Sequence, residues 1–518
     1  MGNPPAGLAL TWRDRTRQRL ARVPFDVLIV GGGINGAGIA RDAALRGLTV
    51  ALVERNDFAS GTSSRSSRLV HGGVRYLEHG FFHLVFESSR ERRILLRIAP
   101  HLVHPLQFTW PVYDGARIPR WKLAAGLWLY DLLAAFRNVA RHRTLSAAQV
   151  LATEPKLQRN GLRGGATYFD AATNDARLTI ANVLDSVTAG AAALNYADVV
   201  SLRFDGAKVS GAEVRDRFTQ ETFLLRAHAV VNATGPWTDT ISRIEDPSSK
   251  PAVLGTKGVH VAVPSQRVGN RAAITMLARA DQRVMFVLPG GSHTIIGTTD
   301  TETHEHPDQV RATRADVQYL LDGANAYFPG AKLVPDDVVC AWAGIRPLIA
   351  SGNSGDPAGA SRESAITVGP RGVIAVTGGK LTTYRAMSES VVDEVQKALG
   401  HTRTRSHTAA RALPGSGVRP EDGDGRVSER LVAELPYTVN DVIAAVDHEL
   451  ACTIADVLIR RTHLAFETRD HGVSVAPRVA ELLAPRLGWT AAEVTRQLDD
   501  YRAEVARLFA IDETEAAG

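Results

Sequence analysis

An α/β fold is predicted by three places where a short apolar strand pattern runs straight into a small-residue turn rich in glycine. Asp26–Val30 enters Gly31-x-Gly33-x-x-Gly36, Ala227–Asn232 enters Ala233-Thr234-Gly235, and Val373–Thr377 enters Gly378-Gly379-Lys380. Further strand patterns crowd the interval between the second and third turns, and beyond residue 425 the periodicity is helical throughout. These observations predict a discontinuous Rossmann-like nucleotide-binding domain, an inserted β-rich domain and an all-helical C-terminal domain.

The first unit is the most informative. The glycines allow a tight turn, close approach of a pyrophosphate to the backbone, and close packing of the next helix on the strand. A helix beginning near Ile34 would present its free N–H groups and positive dipole end to that anion. Gly47 ends the helix, Thr49–Val53 is the second strand, and Glu54 falls near the ~20-residue spacing at which an acid accepts ribose hydroxyls. A glutamate there repels a 2′-phosphate, leaving FAD or NAD. NAD dehydrogenases usually keep this unit contiguous, so a nucleotide domain in pieces favours flavin.

In chain order, residues 1–23 form a basic N-terminal arm, for which a solvated helix is the expectation. Segments 24–80, 170–250 and 365–400 are assigned to the FAD-binding domain, and 81–169 and 251–364 to the substrate or cap domain. Phe82–Ile98 has helical spacing; Thr173-Asn174-Asp175-Ala176-Arg177 opens a helix pattern reaching Ala193, with Asp175 placed to cap it. Tyr196–Phe204, Lys208–Asp216 and Thr222–Leu225 read as a meander, and Val259–Val263, Arg283–Leu288 and Thr294–Gly297 as strands of the cap. Ser351–Ser361 reads as a flexible loop, 401–425 as a linker, and 426–518 as the helical C-terminal domain.

At 518 residues and 44% apolar content the chain is long enough for two or three domains. Net charge +5 and a pI near 9.2 permit anionic substrates or surfaces. No aromatic or repeat pattern accompanies the basic residues, so nucleic acid is not expected. Cys340 and Cys452 are too few and too far apart for a disulfide scaffold or a Cys-x-x-Cys site, which suits a reducing compartment. Neither a secretory leader nor a membrane-spanning run is apparent. Leu123–Phe136 is almost wholly apolar, with Arg117, Arg120 and Lys122 before it and Arg137, Arg141 and Arg143 after it. A buried core helix is the plainer reading, and a helix lying in a membrane interface the alternative.

Candidate chemistry gathers in four further stretches. Thr62-Ser63-Ser64-Arg65-Ser66-Ser67-Arg68 offers hydroxyls and cations to an extended phosphorylated cofactor, and the two glycines of His71-Gly72-Gly73-Val74-Arg75-Tyr76 suggest close approach of a flat ring. Arg75, Arg346, Arg362 and Lys380 each sit at a turn, a loop or a proline and could converge on a phosphate. His304-x-His306 with Glu302 and Glu305 lacks a third ligand motif nearby, so no metal is expected.

These stretches resemble the aerobic FAD-dependent glycerol-3-phosphate dehydrogenases. Residues 25 to about 400 carry the motifs in family order: GGGINGAGIARDAALRGLTVALVERNDFASGTSSRSSRLVHGGVRYLE, TNDARLTIAN, VVNATGPW, KGVH, IIGTTD, WAGIRPL and GGKLTTYR. In Lys257-Gly258-Val259-His260 a valine stands where the family generally has serine. The resemblance implies FAD contacts from Gly31, Gly33, Gly36, Glu54, Thr62, Ser63, Ser64, Ser66, Ser67, His71, Ala233, Thr234, Gly235, Gly379, Lys380, Leu381 and Thr382. It implies a substrate pocket of Arg75, Tyr76, His260, Arg346, Arg362 and Lys380. It further implies oxidation of glycerol 3-phosphate to dihydroxyacetone phosphate and transfer of electrons to a membrane quinone. The protein would then lie in the cytoplasm, peripheral to the inner face of the cell membrane; a homodimer is left open. A histidine suits the catalytic base, with His71 and His260 as candidates, while Lys380 or Arg346 would stabilise a developing alkoxide. The rivals are an oxidase of the same substrate using O₂, an amine or amino-acid oxidase, and a flavin-binding module without activity.

Overall fold

The computed structural model describes residues 8–135, 138–349, 364–415 and 429–513, with side chains from residue 12 onward except those of Arg75 and His79. Two sheets face one another across the chain's main cleft. The first has eight strands in the path Ser364–Val368, Ile374–Gly378, Thr222–Asn232, Phe25–Val30, Val50–Val53 and Ala192–Leu194, with Ala197–Asp205 and Lys208–Asp216 branching from Thr222–Asn232. Phe25–Val30 is parallel to both neighbours and nearly fully buried, as a strand covered on both faces must be. Helices Ile34–Leu45, Asp175–Thr188 and Tyr384–Ala398 lie against one another in the layer beside it.

Thr222–Asn232 is one strand, although its pattern suggested two. Its outer half alternates between exposed and buried and pairs antiparallel with Lys208–Asp216; its inner half is continuously buried and parallel to Phe25–Val30. The change of pattern marks where cover passes from one face to both.

The second sheet has ten strands, and Val253–Pro264 runs antiparallel between His293–Gly297 and Cys340–Ile349. That register sets His260 opposite both Gly297 and Trp342. Leu69–Val70 pairs with Leu162–Thr173 in this sheet, so the chain crosses from one sheet to the other between Glu54 and Leu69. Residues 429–513 are helical apart from Ile511–Asp512, which pairs with Ala312–Thr313. Their apolar side chains, among them Leu464, Phe466 and Phe509, join Trp342, Phe108 and Tyr130 in one core. The helical region is therefore built onto the second sheet.

Two stretches expected to be loose are docked. Helix Leu8–Arg22 buries Leu20 and seats Arg13 on Asn195 and on Asp216 at 2.9 Å, because its arginines face carboxylates and carbonyls on the first sheet. The described part of the linker, residues 401–415, buries Thr408 and Leu413, and Arg411 pairs with Asp185. Asn174, not Asp175, caps the helix that follows, accepting the N–H of Arg177. Ser351–Ser361 lies outside the described residues.

The nucleotide sheet and the helical region are joined by a buried ion cluster. Asp57 receives Arg460 at 2.6 Å and Arg461 at 2.5 Å, with a further hydrogen bond from Asn195. Burial alone would raise the Asp57 carboxyl, but Arg461 and Arg460 outweigh it and hold it below its ordinary value. This contribution is present above the carboxyl's unfolded pKa and is lost as pH falls through the folded one. Asp57→Ala takes a carboxylate from two buried guanidinium groups, leaving Arg460 with Asp456 and Arg461 with the Glu449 carbonyl. We expect it to cost about 3–5 kcal/mol, read as a lowered thermal midpoint of the purified protein at neutral pH.

Candidate active site

A cleft of about 350 Å³ opens between the sheets, and its walls are built from the turns singled out in the sequence. Gly31, at φ +105°, ends the first strand; a Cβ there would lie 2.7 Å from the carbonyl oxygen of Ala233, the start of the second turn. The adjacent helix begins at Ile34, whose N–H donates to Ser63 Oγ at 2.9 Å, so the hydroxyl run is tied directly to the helix N-terminus. Glu54 lines the cleft, and its two oxygens accept the N–H groups of Gly32 and Asn56 at 2.7 and 2.8 Å. The carboxylate thus shapes the glycine turn, a task its position alone did not reveal.

The stretch from Thr62 to Tyr76 is held by buried acids. Asp175 Oδ2 accepts both the N–H and the hydroxyl of Ser66, at 3.1 and 2.7 Å. Asp170 Oδ1 accepts the N–H of Gly72 at 2.9 Å, and Thr382 Oγ1 accepts that of His71 at 3.0 Å. The glycines after His71 answer to protein neighbours: a Cβ at Gly72 would strike the Tyr130 hydroxyl, and one at Gly73, itself at φ +77°, the ring of Tyr76. Two other glycines make room for candidate site side chains and were not singled out. A Cβ at Gly297 would overlap the His260 ring, and one at Gly258 the Arg346 guanidinium.

At the cleft's far end stand Tyr76, His260, Arg346 and Lys380. His260 is 2% exposed and stacks on Trp342 with ring centroids 5.3 Å apart, while its Nε2 lies 2.8 Å from Ser67 Oγ. Burial first, then Arg346 and Arg68, lower its pKa to about 3, so the imidazole is neutral at any working pH. Arg346 is aimed by Asp300 Oδ1 at 3.0 Å and Thr298 Oγ1 at 2.8 Å. The ammonium of Lys380 sits 3.9 Å over the Tyr76 ring, buried and, among the described residues, without a hydrogen-bond partner. His71 lines the same cleft. The side chain of Arg75 and all of Arg362 lie outside the described residues.

Residues 26–385 match the model of the FAD-dependent oxidoreductase family, and residues 413–494 that of the C-terminal domain of alpha-glycerophosphate oxidase. The glycerol-3-phosphate dehydrogenase 2 of Mycobacterium tuberculosis is 38% identical, over 97% of this chain and 92% of its own. The mitochondrial glycerol-3-phosphate dehydrogenase of Homo sapiens is 35% identical, over 92% of this chain and 72% of its own. The chain belongs to the FAD-dependent glycerol-3-phosphate dehydrogenase family. The crystal structure of the Bacillus halodurans glycerol-3-phosphate dehydrogenase complexed with FAD superposes with a TM-score of 0.79 at 32% identity, covering 97% of this chain and 98% of that one. A glycine oxidase from Geobacillus kaustophilus, 22% identical with a TM-score of 0.56, shares the fold alone.

This family member is an oxidoreductase that uses FAD, and its cleft fits that cofactor. Gly31 and Gly33, Glu54, Thr62, Ser63, Ser66 and Ser67, His71, Ala233 to Gly235 and Gly379 to Thr382 all line it, and the orphan ammonium of Lys380 offers a cation to an electron-rich ring edge. Two expected contacts do not line it. Ser64 is 3% exposed and turns its hydroxyl to the carbonyl of Gly61, and Gly36 lies beneath the turn, where a Cβ would overlap the carbonyl oxygen of Gly31. Sequence reading also missed Phe286 and Ala197–Val199, lining positions that carry no motif, and Trp237, which ends the VVNATGPW motif but was not given a role. Among the described residues, no group of three or more His, Cys, Asp or Glu side chains is arranged to hold a metal ion. Because Gly36 supports the turn from below, Gly36→Ala is expected to yield folded protein with most of its flavin lost, measured as the ratio of flavin to protein absorbance after desalting.

Proposed function

We propose that the protein oxidises sn-glycerol 3-phosphate to dihydroxyacetone phosphate and passes the electrons through FAD to a membrane quinone. The observation that carries this reading is the meeting of two cations, Arg346 and the unpartnered Lys380, with the buried neutral His260 in one cleft beside the cofactor turns. Arg346 offers a planar fork to the substrate phosphate, and Arg75 and Arg362 are assigned to the same anion. Lys380, shielded from water by the face of Tyr76, stabilises negative charge developing on the C2 oxygen. His260 is held deprotonated and accepts the C2 hydroxyl proton as the C2–H bond breaks and the C=O bond forms. FAD, when bound, accepts the hydride. His71, which lines the same cleft and whose backbone N–H is fixed by Thr382, is assigned to flavin contact.

Delivery to a membrane quinone is supported by the face next to the His71–Tyr76 turn. On helix Arg120–Leu133 the inner residues Leu123, Leu127 and Tyr130 are buried, while Trp121, Trp128 and Leu132 are 73, 55 and 58% exposed. Phe81, Phe82 and Phe86 stand 47–51% exposed at the start of helix Phe82–Ile98, which packs against it. Arg117, Arg120, Lys122, Arg141 and Arg143 are exposed around them. Aromatic groups surrounded by cations suit an anionic bilayer surface, where the helix would lie in the interface. The buried inner face fits the core-helix reading, and the exposed outer face supports the interface reading. Among the described residues no helix is long and apolar enough to cross a membrane.

Anaerobic glycerol 3-phosphate is expected to bleach the flavin of the purified protein, whereas glycine is not. Loss of one charge-assisted clamp in Arg346→Ala should raise KM for glycerol 3-phosphate about 10- to 100-fold, and far less for glycerol; equal effects would remove the phosphate clamp. In turnover, reduction of a quinone analogue should exceed formation of hydrogen peroxide. The membrane arm has its own measurement. Wild-type protein should sediment with vesicles containing phosphatidylserine and stay in solution with neutral ones, and the double change Trp121→Ser, Trp128→Ser should weaken binding about tenfold or more.

A further inference from the structure

We infer that Arg68 is a positioning residue, through which the C-terminal helical region holds the His260 ring in place for proton transfer. The inference rests on the reading of His260 as proton acceptor. Arg68 belongs to the hydroxyl-rich run beside the cofactor turns, yet it alone of residues 65–69 turns away from the main cleft. Its backbone takes a left-handed conformation, φ +56°, fixed on one side by Ser66 Oγ and on the other by the N–H of Thr173, which donates to the Arg68 carbonyl. That twist sends the guanidinium behind the second sheet, where Nε and Nη2 are buried without hydrogen-bond partners.

What receives it there is a pair of rings. The guanidinium carbon lies 4.6 Å from the centre of Phe466, in the C-terminal region, and 5.2 Å from that of Trp342. The two rings meet edge to face at 5.4 Å, and the other partner of Trp342 is His260, stacked at 12° between planes. Phe466, Arg68, Trp342 and His260 thus form one continuous stack from the helical region to the reacting end of the cleft. An apolar side chain would fill the space equally well; a cation stacked on Trp342 adds both a ring–cation attraction and a positive potential at the imidazole.

The charges facing His260 agree with this. Arg346 approaches from the neighbouring strand and is itself paired with Asp300. Lys380 and His71 line the same cleft, Ser67 contacts Nε2, and Lys257 on the histidine's own strand is neutralised by Asp316. Asp175 and Glu467 lie within electrostatic reach of Arg68. Arg68 and Arg346 together oppose a proton on the imidazole.

The test is a double-mutant cycle on the holoenzyme, with Arg68→Met and His260→Asn, reading the rate constant of flavin reduction by saturating glycerol 3-phosphate without oxygen. Arg68→Met alone should slow reduction about tenfold with KM changed less than about twofold, and should add nothing in the His260→Asn background. It should also bring in an acid limb, because an imidazole relieved of one neighbouring cation protonates at a higher pH. The same fold loss in both backgrounds, or loss of flavin with no change in the reduction rate of the remaining holoenzyme, would overturn the inference. If His260→Asn itself reduces flavin at the wild-type rate, it is the proton-acceptor reading that falls. Should Arg68→Met yield no holoenzyme, Phe466→Leu loosens the stack from the other end and is read in the same cycle.

Discussion

The polypeptide between Glu54 and Tyr76 crosses from one sheet to the other with only short turns and a two-residue strand of regular structure, and its backbone polar groups must still be satisfied where water is excluded. Buried side chains meet that demand. Asp175 takes the N–H of Ser66, Thr382 that of His71, Asp170 that of Gly72, and Ser63 closes on the helix at Ile34. Because each acceptor comes from a different element, the cleft exists only when helix Asp175–Thr188, the Gly379–Thr382 turn and strand Leu162–Thr173 are all in place. Losing one acid leaves a buried donor without a partner, which costs more than the bond itself was worth.

Most of this architecture was legible because glycine turns and continuously apolar strands are local signals. The three strand-to-turn junctions, the acid after the second strand and the crowd of strands between them all follow from residues within a few positions of one another. What escaped depends on partners remote in sequence. The basic pattern of helix Leu8–Arg22 does not reveal that Arg13 meets Asp216, nor does the Pro- and Gly-containing stretch after residue 400 reveal that Leu413 fills a gap beside Ile98. Asp175 was read as a cap since an acid at a helix start is usually one; Asn174 beside it does that work, which frees the acid for Ser66. Gly258 and Gly297 fall within the KGVH and IIGTTD motifs, but only the pairing of three strands shows that side chains there would displace Arg346 and His260.

The cleft's electrostatics are uneven by construction. Arg346 has Asp300 beside it, so its charge is aimed as well as partly balanced, whereas Lys380 is met by the face of Tyr76. Burial first, then Arg346 and Arg68, keep the His260 imidazole neutral, and an anionic ligand that screened Arg346 would make protonation of the same ring easier. On the proposed reading substrate binding and proton acceptance would be coupled, because a phosphate held by Arg346 would offset part of the field that, after burial, lowers the His260 pKa.

The exposed aromatic face and the cleft are not separate modules. Tyr130, on the inner side of the helix that shows Trp121 and Trp128 to solvent, donates its hydroxyl to Asp170 at 2.7 Å. Arg92, from the helix that begins at Phe82, donates to Tyr130 and to the same Asp170, while Asn138 bonds both Arg92 and Asp131. Asp170 in turn holds Gly72, the residue after His71. Both helices of the outer face therefore end on one carboxylate, and that carboxylate fixes the turn after His71 in the cleft wall. Burial and this chain of charge-assisted hydrogen bonds leave little slack between them. A surface that took up lipid would sit one carboxylate away from the turn that carries His71 and Tyr76.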